Sequence, residues 1–170
     1  MRRALLLARR GWGQTAPNPM VGAVIVRSGK VVGEGWHERF GGPHAEVMAL
    51  ANAGARARGA TVYVTLEPCT HWGKTPPCVD ALIEAGVSRV VCATRDPGKG
   101  SGGGARKLRR ARIAVEFGVL EHEARELNAP FFFAAAGATR PWVTLKLALS
   151  ADGAVGRRGS RRVRITGAAA

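Results

Sequence analysis

The chain has 170 residues, enough for one globular domain and part of a second, and a hydrophobic content of 46% that is ordinary for a globular protein. No apolar run approaches the roughly 20 residues of a membrane helix. We therefore expect no membrane partner and a cytoplasmic location. A net charge of +14 is compatible with a phosphorylated small molecule, whereas the scatter of the basic residues, without interleaved aromatics, argues against a nucleic-acid partner.

Strand and helix patterns alternate along the first half of the chain. In chain order they predict a helix over residues 2–10, a hairpin of strands over 21–26 and 30–36, a helix over 44–53, a strand over 61–66, a helix over 77–85 and a strand over 88–94. Such alternation predicts an α/β fold, a sheet with helices on its faces. We expect a mixed sheet of about five strands in a three-layer α/β/α arrangement.

The second half is less regular. Its pattern predicts a glycine-rich loop over residues 96–104, a helix over 105–111, a strand over 113–117, one longer helix over 120–136, a linker over 137–140 and a new strand over 141–149. We place the domain boundary in this linker, with one domain over residues 1–138 and the start of another over 139–170.

Three cysteines are too few for a disulfide framework in a chain of this size. Cys69 and Cys78 make more sense as metal ligands in a reducing compartment. Cys92 lies in an apolar run over residues 90–93, where a free cysteine packs as a core residue.

Two short segments carry chemistry: His-Ala-Glu at residues 44–46, and Glu-Pro-Cys at 67–69 followed by Cys78. One histidine and two thiolates leave a tetrahedral zinc ion one open position for water. This combination is the signature of zinc-dependent nucleobase deaminases. We expect His44 at the start of one helix and Cys69 at or near the start of the next, where the helix dipole favours a thiolate. Glu46 is then the residue that moves protons.

A structural zinc site is the alternative interpretation of these residues. Structural sites usually have four protein ligands, and the candidates for a fourth are His71, His37 and Glu67. The glutamate at the right offset and the proline before the cysteine favour the catalytic interpretation.

The spacing of the two cysteines restricts which deaminases the sequence resembles. Eight residues separate Cys69 from Cys78, where most cytidine and adenosine deaminases have two. The segment EPCTHWGKTPPC at residues 67–78 closely resembles the riboflavin-biosynthesis deaminase, usually the N-terminal half of a bifunctional deaminase/reductase. The segments APNPMVG, GPHAEV and YVTLE at residues 16–22, 42–47 and 63–67 resemble the same family.

The resemblance implies a cytidine deaminase-like fold and zinc as the cofactor, with His44, Cys69 and Cys78 as ligands and Glu46 as the proton shuttle. It also implies a substrate, 2,5-diamino-6-(5-phospho-ribosylamino)pyrimidin-4-one. Water would attack the ring carbon that bears the 2-amino group, which yields the corresponding 5-amino uracil compound and ammonia.

Three further residues align with substrate-contacting positions of this family, and the place of Asp96 in the predicted fold makes it a fourth candidate. An amide and an imidazole, Asn18 and His71, can fix a polar pyrimidine, and Lys74 can meet phosphate as a point charge. Asp96 follows a strand end, where ligand-binding loops collect. The alternatives are turn residues for Asn18 and Asp96 and a solvated charge for Lys74. Gly98 stands where the family usually has an asparagine, which leaves only backbone amides to bind phosphate there.

Residues 140–153 resemble the opening of the family's reductase domain, which uses NADPH. Lys146 matches an active-site position of that domain and Ala148 a cofactor contact, whereas residues 160–166 lack the tryptophan that is expected before Ile-Thr. We interpret residues 139–170 as a truncated start of the reductase domain, with no reductase activity and with NADPH required only by a full domain. The apolar segment that begins at Trp142 favours a partner surface, and so a homo-oligomer.

Two other functions fit the same residues. One is deamination of another nucleobase or nucleotide, of the cytosine, guanine or adenine type. The other is a zinc-stabilised basic domain that binds nucleic acid, whose binding would be sensitive to salt and would survive loss of Glu46.

Overall fold

A computed structural model describes residues 1–98, 102–151 and 153–155. The chain forms two units, Met1–Thr139 and Arg140–Ala170. In chain order the elements of the first unit are α1 (Arg2–Ala8), β1 (Gly22–Arg27), β2 (Lys30–Trp36), α2 (Ala45–Ala53), β3 (Thr61–Leu66), α3 (Cys78–Glu84), β4 (Arg89–Thr94), α4 (Gly104–Arg110), β5 (Ala114–Phe117), α5 (Glu121–Leu127) and α6 (Ala129–Ala135). None of these helices is long and apolar enough to cross a membrane.

The five strands form one mixed sheet in the order β2-β1-β3-β4-β5. Strand β1 is antiparallel to both β2 and β3, whereas β3, β4 and β5 run parallel. The predicted turn joins β1 to β2 through Ser28 and Gly29, whose φ angles of 48° and 75° are those of a tight hairpin turn. The predicted mixed five-stranded sheet is therefore confirmed.

Helices cover both faces of the sheet, which confirms the three-layer arrangement. Ala23 and Ile25 of β1 belong to the main core with residues of α2, α3 and α4. Val24 points to the other face and packs with Ala4 and Leu7 of α1. This alternation follows from the two-residue period of a strand. The two helices that carry the candidate metal ligands thus lie in the same layer.

Helix α2 lies directly on β2 because two glycines leave room for its backbone. A Cβ atom at Gly33 would lie 2.3 Å from the carbonyl oxygen of Ala49, and one at Gly35 would lie 2.5 Å from that of Ala45. Any side chain at either position would push the helix away from the sheet. The glycines therefore fix the height of the helix start above β2.

The predicted single helix over residues 120–136 is wrong, because the structure breaks it at Asn128 into α5 and α6. Pro130 stands in the first turn of α6, where its missing N–H costs no hydrogen bond. The Asn128 side chain accepts from the Met20 N–H and donates to the Met20 carbonyl, both at 2.8 Å. The break thus ties α6 to the loop that carries Asn18.

The strand predicted over residues 141–149 is also wrong. The described residues of the second unit contain neither helix nor strand. A strand needs neighbouring backbone to pair with, and this part of the described chain offers none. The predicted boundary lies one residue from the division between the units, and the origin of the second unit stays a prediction. Residues 99–101, 152 and 160–166, which entered the predictions above, lie outside the described residues.

Candidate active site

The three predicted metal ligands meet at one point. Their ligand atoms all lie within 4.8 Å of one another. The Nδ1 atom of His44 is 3.1 Å from the sulfur of Cys78 and 3.5 Å from that of Cys69. A tetrahedral zinc ion with ordinary bond lengths separates nitrogen and sulfur ligands by about 3.5 Å. The donor set and its spacing therefore fit a zinc ion.

Local structure explains how these side chains reach the site. His44 is the residue before the first turn of α2, and Cys78 is the first residue of α3. Cys69 was expected at or near a helix start; it lies in the loop between β3 and α3. The N–H of Cys78 nevertheless donates to the Cys69 sulfur at 3.3 Å, so the start of α3 stabilises that thiolate as well.

The two cysteines differ in their affinity for a proton in the metal-free protein. Hydrogen bonds from Cys78 and His44 lower the pKa of Cys69 to about 4. The hydrogen bond with Cys69 and burial raise the pKa of Cys78. Cys69 thus gives up its proton more readily than Cys78, which must release its own proton when a metal binds.

Glu46 lies in the first turn of α2, close to these ligands. Its side chain is buried, and burial, followed by the charge of Cys69, raises its pKa to about 7. It lines the same cavity as His44 and Cys69. A carboxyl group with a pKa near the working pH can both accept and return a proton.

A cavity of about 320 Å³ opens beside the cluster. It brings together all four side chains that the sequence indicated for substrate binding. These are Asn18, His71, Lys74 and Asp96. Phe131 of α6 also lines the cavity, and the sequence analysis gave it no role there. The broken helix therefore delivers an apolar wall that the pattern of a single helix concealed.

Lys74 and Asp96 each have a neighbour that holds them. The Nζ atom of Lys74 lies 4.2 Å from the centre of the Phe40 ring, a cation–π contact at the edge of the cavity. One carboxylate oxygen of Asp96 accepts from the Gly98 N–H at 2.8 Å. That bond is the turn chemistry named as the alternative for Asp96, and it coexists with a place on the cavity wall.

The candidates for a fourth ligand are occupied otherwise or lie outside the ligand group. Both ring nitrogens of His37 are engaged, with the Pro43 carbonyl and with Asn18. One oxygen of Glu67 accepts from the Ala105 N–H at 2.9 Å. Within the described residues the group has three members, which is the ligand number of a catalytic zinc site.

Lys146 and Ala148 belong to the second unit. Both are exposed and lie outside any helix or strand. Their match to reductase positions stays a prediction.

Comparison with protein families supports the interpretation of this site as the zinc site of a deaminase. The model of the cytidine and deoxycytidylate deaminase zinc-binding region matches residues 1–94. The riboflavin biosynthesis protein RibD of Aquifex aeolicus is 58% identical over 154 residues, which are 90% of this chain and 43% of the relative. The diaminohydroxyphosphoribosylamino-pyrimidine deaminase of Buchnera aphidicola subsp. Schizaphis graminum is 49% identical over 78% of this chain and 90% of the relative.

The solved structures that resemble this chain come from the same family of proteins. A diaminohydroxyphosphoribosylaminopyrimidine deaminase/5-amino-6-(5-phosphoribosylamino)uracil reductase from Thermotoga maritima superposes with a TM-score of 0.83 at 50% identity, over 90% of this chain and 44% of that one. Acinetobacter baumannii RibD gives a TM-score of 0.84 at 47% identity, over 99% and 47%. The chain thus spans less than half the length of these larger relatives.

Proposed function

Since the chain belongs to the zinc-binding cytidine and deoxycytidylate deaminase family, and to its diaminohydroxyphosphoribosylaminopyrimidine deaminase branch, we propose that it deaminates 2,5-diamino-6-(5-phospho-ribosylamino)pyrimidin-4-one by hydrolysis. The products are the corresponding 5-amino uracil compound and ammonia. One observation carries the proposal: two members of the three-ligand group, His44 and Cys69, line one cavity together with a buried glutamate and a lysine.

In this proposal His44, Cys69 and Cys78 hold the zinc ion. When bound, zinc lowers the pKa of a coordinated water towards neutrality and so supplies a nucleophile at neutral pH. Glu46 removes a proton from the attacking water. It returns protons first to the ring nitrogen and then to the departing ammonia. Burial, the largest cause of its raised pKa, also favours the protonated form that must deliver these protons.

The remaining polar residues bind and orient the substrate. Asn18 and His71 offer hydrogen bonds to the pyrimidine, and Asp96 offers a carboxylate on the cavity wall. Lys74 neutralises the phosphate, and its stacking on Phe40 keeps the ammonium group at the edge of the cavity. The net charge of +14 favours approach of such an anion.

The larger relatives also support an assignment for residues 139–170. We assign residues 139–170 to the start of a reductase domain, with Lys146 and Ala148 as its contacts. The support is that a RibD protein from Actinobacillus pleuropneumoniae matches 100% of this chain. The activity proposed for this chain is confined to deamination. A cytoplasmic location accompanies the proposal, and association of copies through the segment that begins at Trp142 stays a prediction.

A panel of substrates tests the proposed function. The zinc-loaded protein is assayed for ammonia release from the phosphorylated diaminopyrimidine, from cytidine and from guanine. We expect turnover of the first compound to exceed that of the others by at least about 10²-fold, because its polar edges and phosphate meet partners in the site. Turnover of cytidine or guanine without the diaminopyrimidine would overturn the substrate, and salt-sensitive nucleic-acid binding that persists in Glu46→Gln would favour a binding domain.

A further inference from the structure

His37 is a buried polar residue with no role in the chemistry described so far. It follows β2 and precedes α2, and only 2% of its surface is exposed. Its backbone N–H donates to the Val21 carbonyl at 2.9 Å. Its ring meets the His44 ring edge to face, with the centres 5.2 Å apart. The residue thus stands between the metal-binding segment and the loop that carries Asn18.

Two hydrogen bonds fix which nitrogen of the His37 ring carries hydrogen. The Nδ1 atom lies 3.0 Å from the Pro43 carbonyl oxygen, and a carbonyl oxygen only accepts, so Nδ1 donates. In the neutral ring Nε2 then offers a lone pair. It lies 3.1 Å from the Nδ2 atom of Asn18, which donates to it.

This tautomer sets the orientation of the Asn18 amide. The opposite orientation would place the amide oxygen against the lone pair of Nε2, which is repulsive. With Nδ2 held by His37, the Oδ1 atom and the second N–H of Asn18 are left for the cavity that both residues line. The cavity is thereby given a hydrogen-bond acceptor at a defined place.

The backbone around Asn18 is anchored separately. The Asn18 N–H donates to the Thr15 carbonyl at 2.8 Å, and Asn128 bonds both backbone groups of Met20. These contacts hold the loop, but they leave the side-chain amide free to rotate by half a turn. Among the residues that the structure describes, the bond from Asn18 to His37 is the contact that distinguishes the two orientations.

We propose that His37 is a positioning residue for the substrate. It locks the Asn18 amide so that Oδ1 accepts a hydrogen bond from an amino or ring N–H group of the pyrimidine. This inference rests on the proposed function for the identity of the ligand. It assigns one of the three candidates for a fourth metal ligand to substrate orientation.

Two variants separate this role from a structural one, because each retains one of the two hydrogen bonds. In His37→Gln the amide oxygen reaches the place of Nε2 and accepts from Asn18. In His37→Asn the amide N–H reaches the place of Nδ1 and donates to Pro43, but the bond to Asn18 is lost. We expect His37→Asn to raise KM about tenfold, the worth of one hydrogen bond, with little change in kcat. His37→Gln should stay within about twofold of the wild type, and both should retain zinc.

The double variant supplies the decisive comparison. When Asn18 is already alanine, His37→Asn should change KM by less than about twofold, because the group it positions is absent. An equal loss in both backgrounds, equal effects of His37→Asn and His37→Gln, or full activity of His37→Asn would overturn the proposal.

A spectroscopic measurement keeps this test apart from the proposed function. Nitrogen NMR of the zinc-loaded full chain should show His37 neutral with the proton on Nδ1, and Asn18→Ala should shift the Nε2 resonance. A proton on Nε2 would overturn the positioning role even if the enzyme is active. Failure of the wild type to release ammonia from the diaminopyrimidine would overturn the proposed function. The NMR assignment of the His37 proton would still test the hydrogen bond between His37 and Asn18.

Discussion

The backbone N–H of Cys78 donates a hydrogen bond to the sulfur of Cys69 at 3.3 Å, so one cysteine begins the helix whose amide stabilises the other. This bond explains why a spacing of eight residues between them still yields one compact site. The intervening loop runs out to Lys74 and returns to α3. The segment between the two metal ligands therefore supplies the proposed phosphate contact.

Removal of one thiolate should abolish metal binding. We expect Cys69→Ala to lose nearly all zinc in elemental analysis, because two remaining ligands leave the ion with half of a tetrahedral set. Cys92→Ala is the matched control, since Cys92 is buried in the core away from the ligand group. Normal zinc content in Cys69→Ala would contradict the assigned site.

Replacement of Glu46 should separate binding from chemistry. Glu46→Gln preserves the shape of the side chain and should bind zinc as the wild type does, but lose at least about 10² in kcat, the usual contribution of a general acid or base. Glu67→Gln is the control, because its amide oxygen can still accept from the Ala105 N–H, the bond that Glu67 makes. The proton-transfer role fails if Glu46→Gln retains full kcat.

Burial of Glu46 should cost the metal-free protein stability at neutral pH. Its pKa rises from 4.5 in the unfolded reference to about 7 in the fold. The protonated carboxyl therefore contributes about 3 kcal/mol to the free energy of unfolding below about pH 4.5. This contribution is lost as the pH rises from 4.5 through 7. In metal-free protein, Glu46→Gln should gain stability over the wild type between pH 5 and pH 8 in urea unfolding. A constant difference across this range would show that the carboxyl is not buried as described.

Loss of the Lys74 charge should affect only the phosphorylated substrate. Lys74→Met should raise KM for it about tenfold, with little effect on the dephosphorylated compound, because the lysine acts on the phosphate. Lys107→Met is the control, since it removes an equal charge that pairs with Asp80 rather than one that lines the cavity. Equal effects of Lys74→Met on both compounds would place the phosphate elsewhere.

Local patterns were sufficient to predict much of the fold. Strands β2 and β3 begin and end at the predicted residues, because apolar β-branched runs and flanking glycines mark them. The break at Asn128 was missed, although Pro130 is a local signal for a helix start inside residues 120–136. The bonds from Asn128 to Met20, which is 108 positions away in the sequence, could not be predicted from that local pattern.

The site was predictable to a similar degree. Residue types and spacing indicated the ligand set and Glu46, since zinc chemistry restricts which side chains can serve. The contacts that orient other side chains were not predictable. His37 was considered only as a ligand, and Phe40 was not considered, because their partners Asn18 and Lys74 come near only when loops from separate strands fold together.

The most direct test of the account is ammonia release from the phosphorylated diaminopyrimidine by the full chain, measured with zinc bound, after chelation, and after zinc is restored. We predict one ammonia for each substrate consumed, loss of activity with the chelator, and recovery in proportion to the zinc that rebinds. Turnover that is unchanged after complete removal of the metal, or no ammonia from the zinc-loaded protein, would contradict a zinc-dependent deaminase.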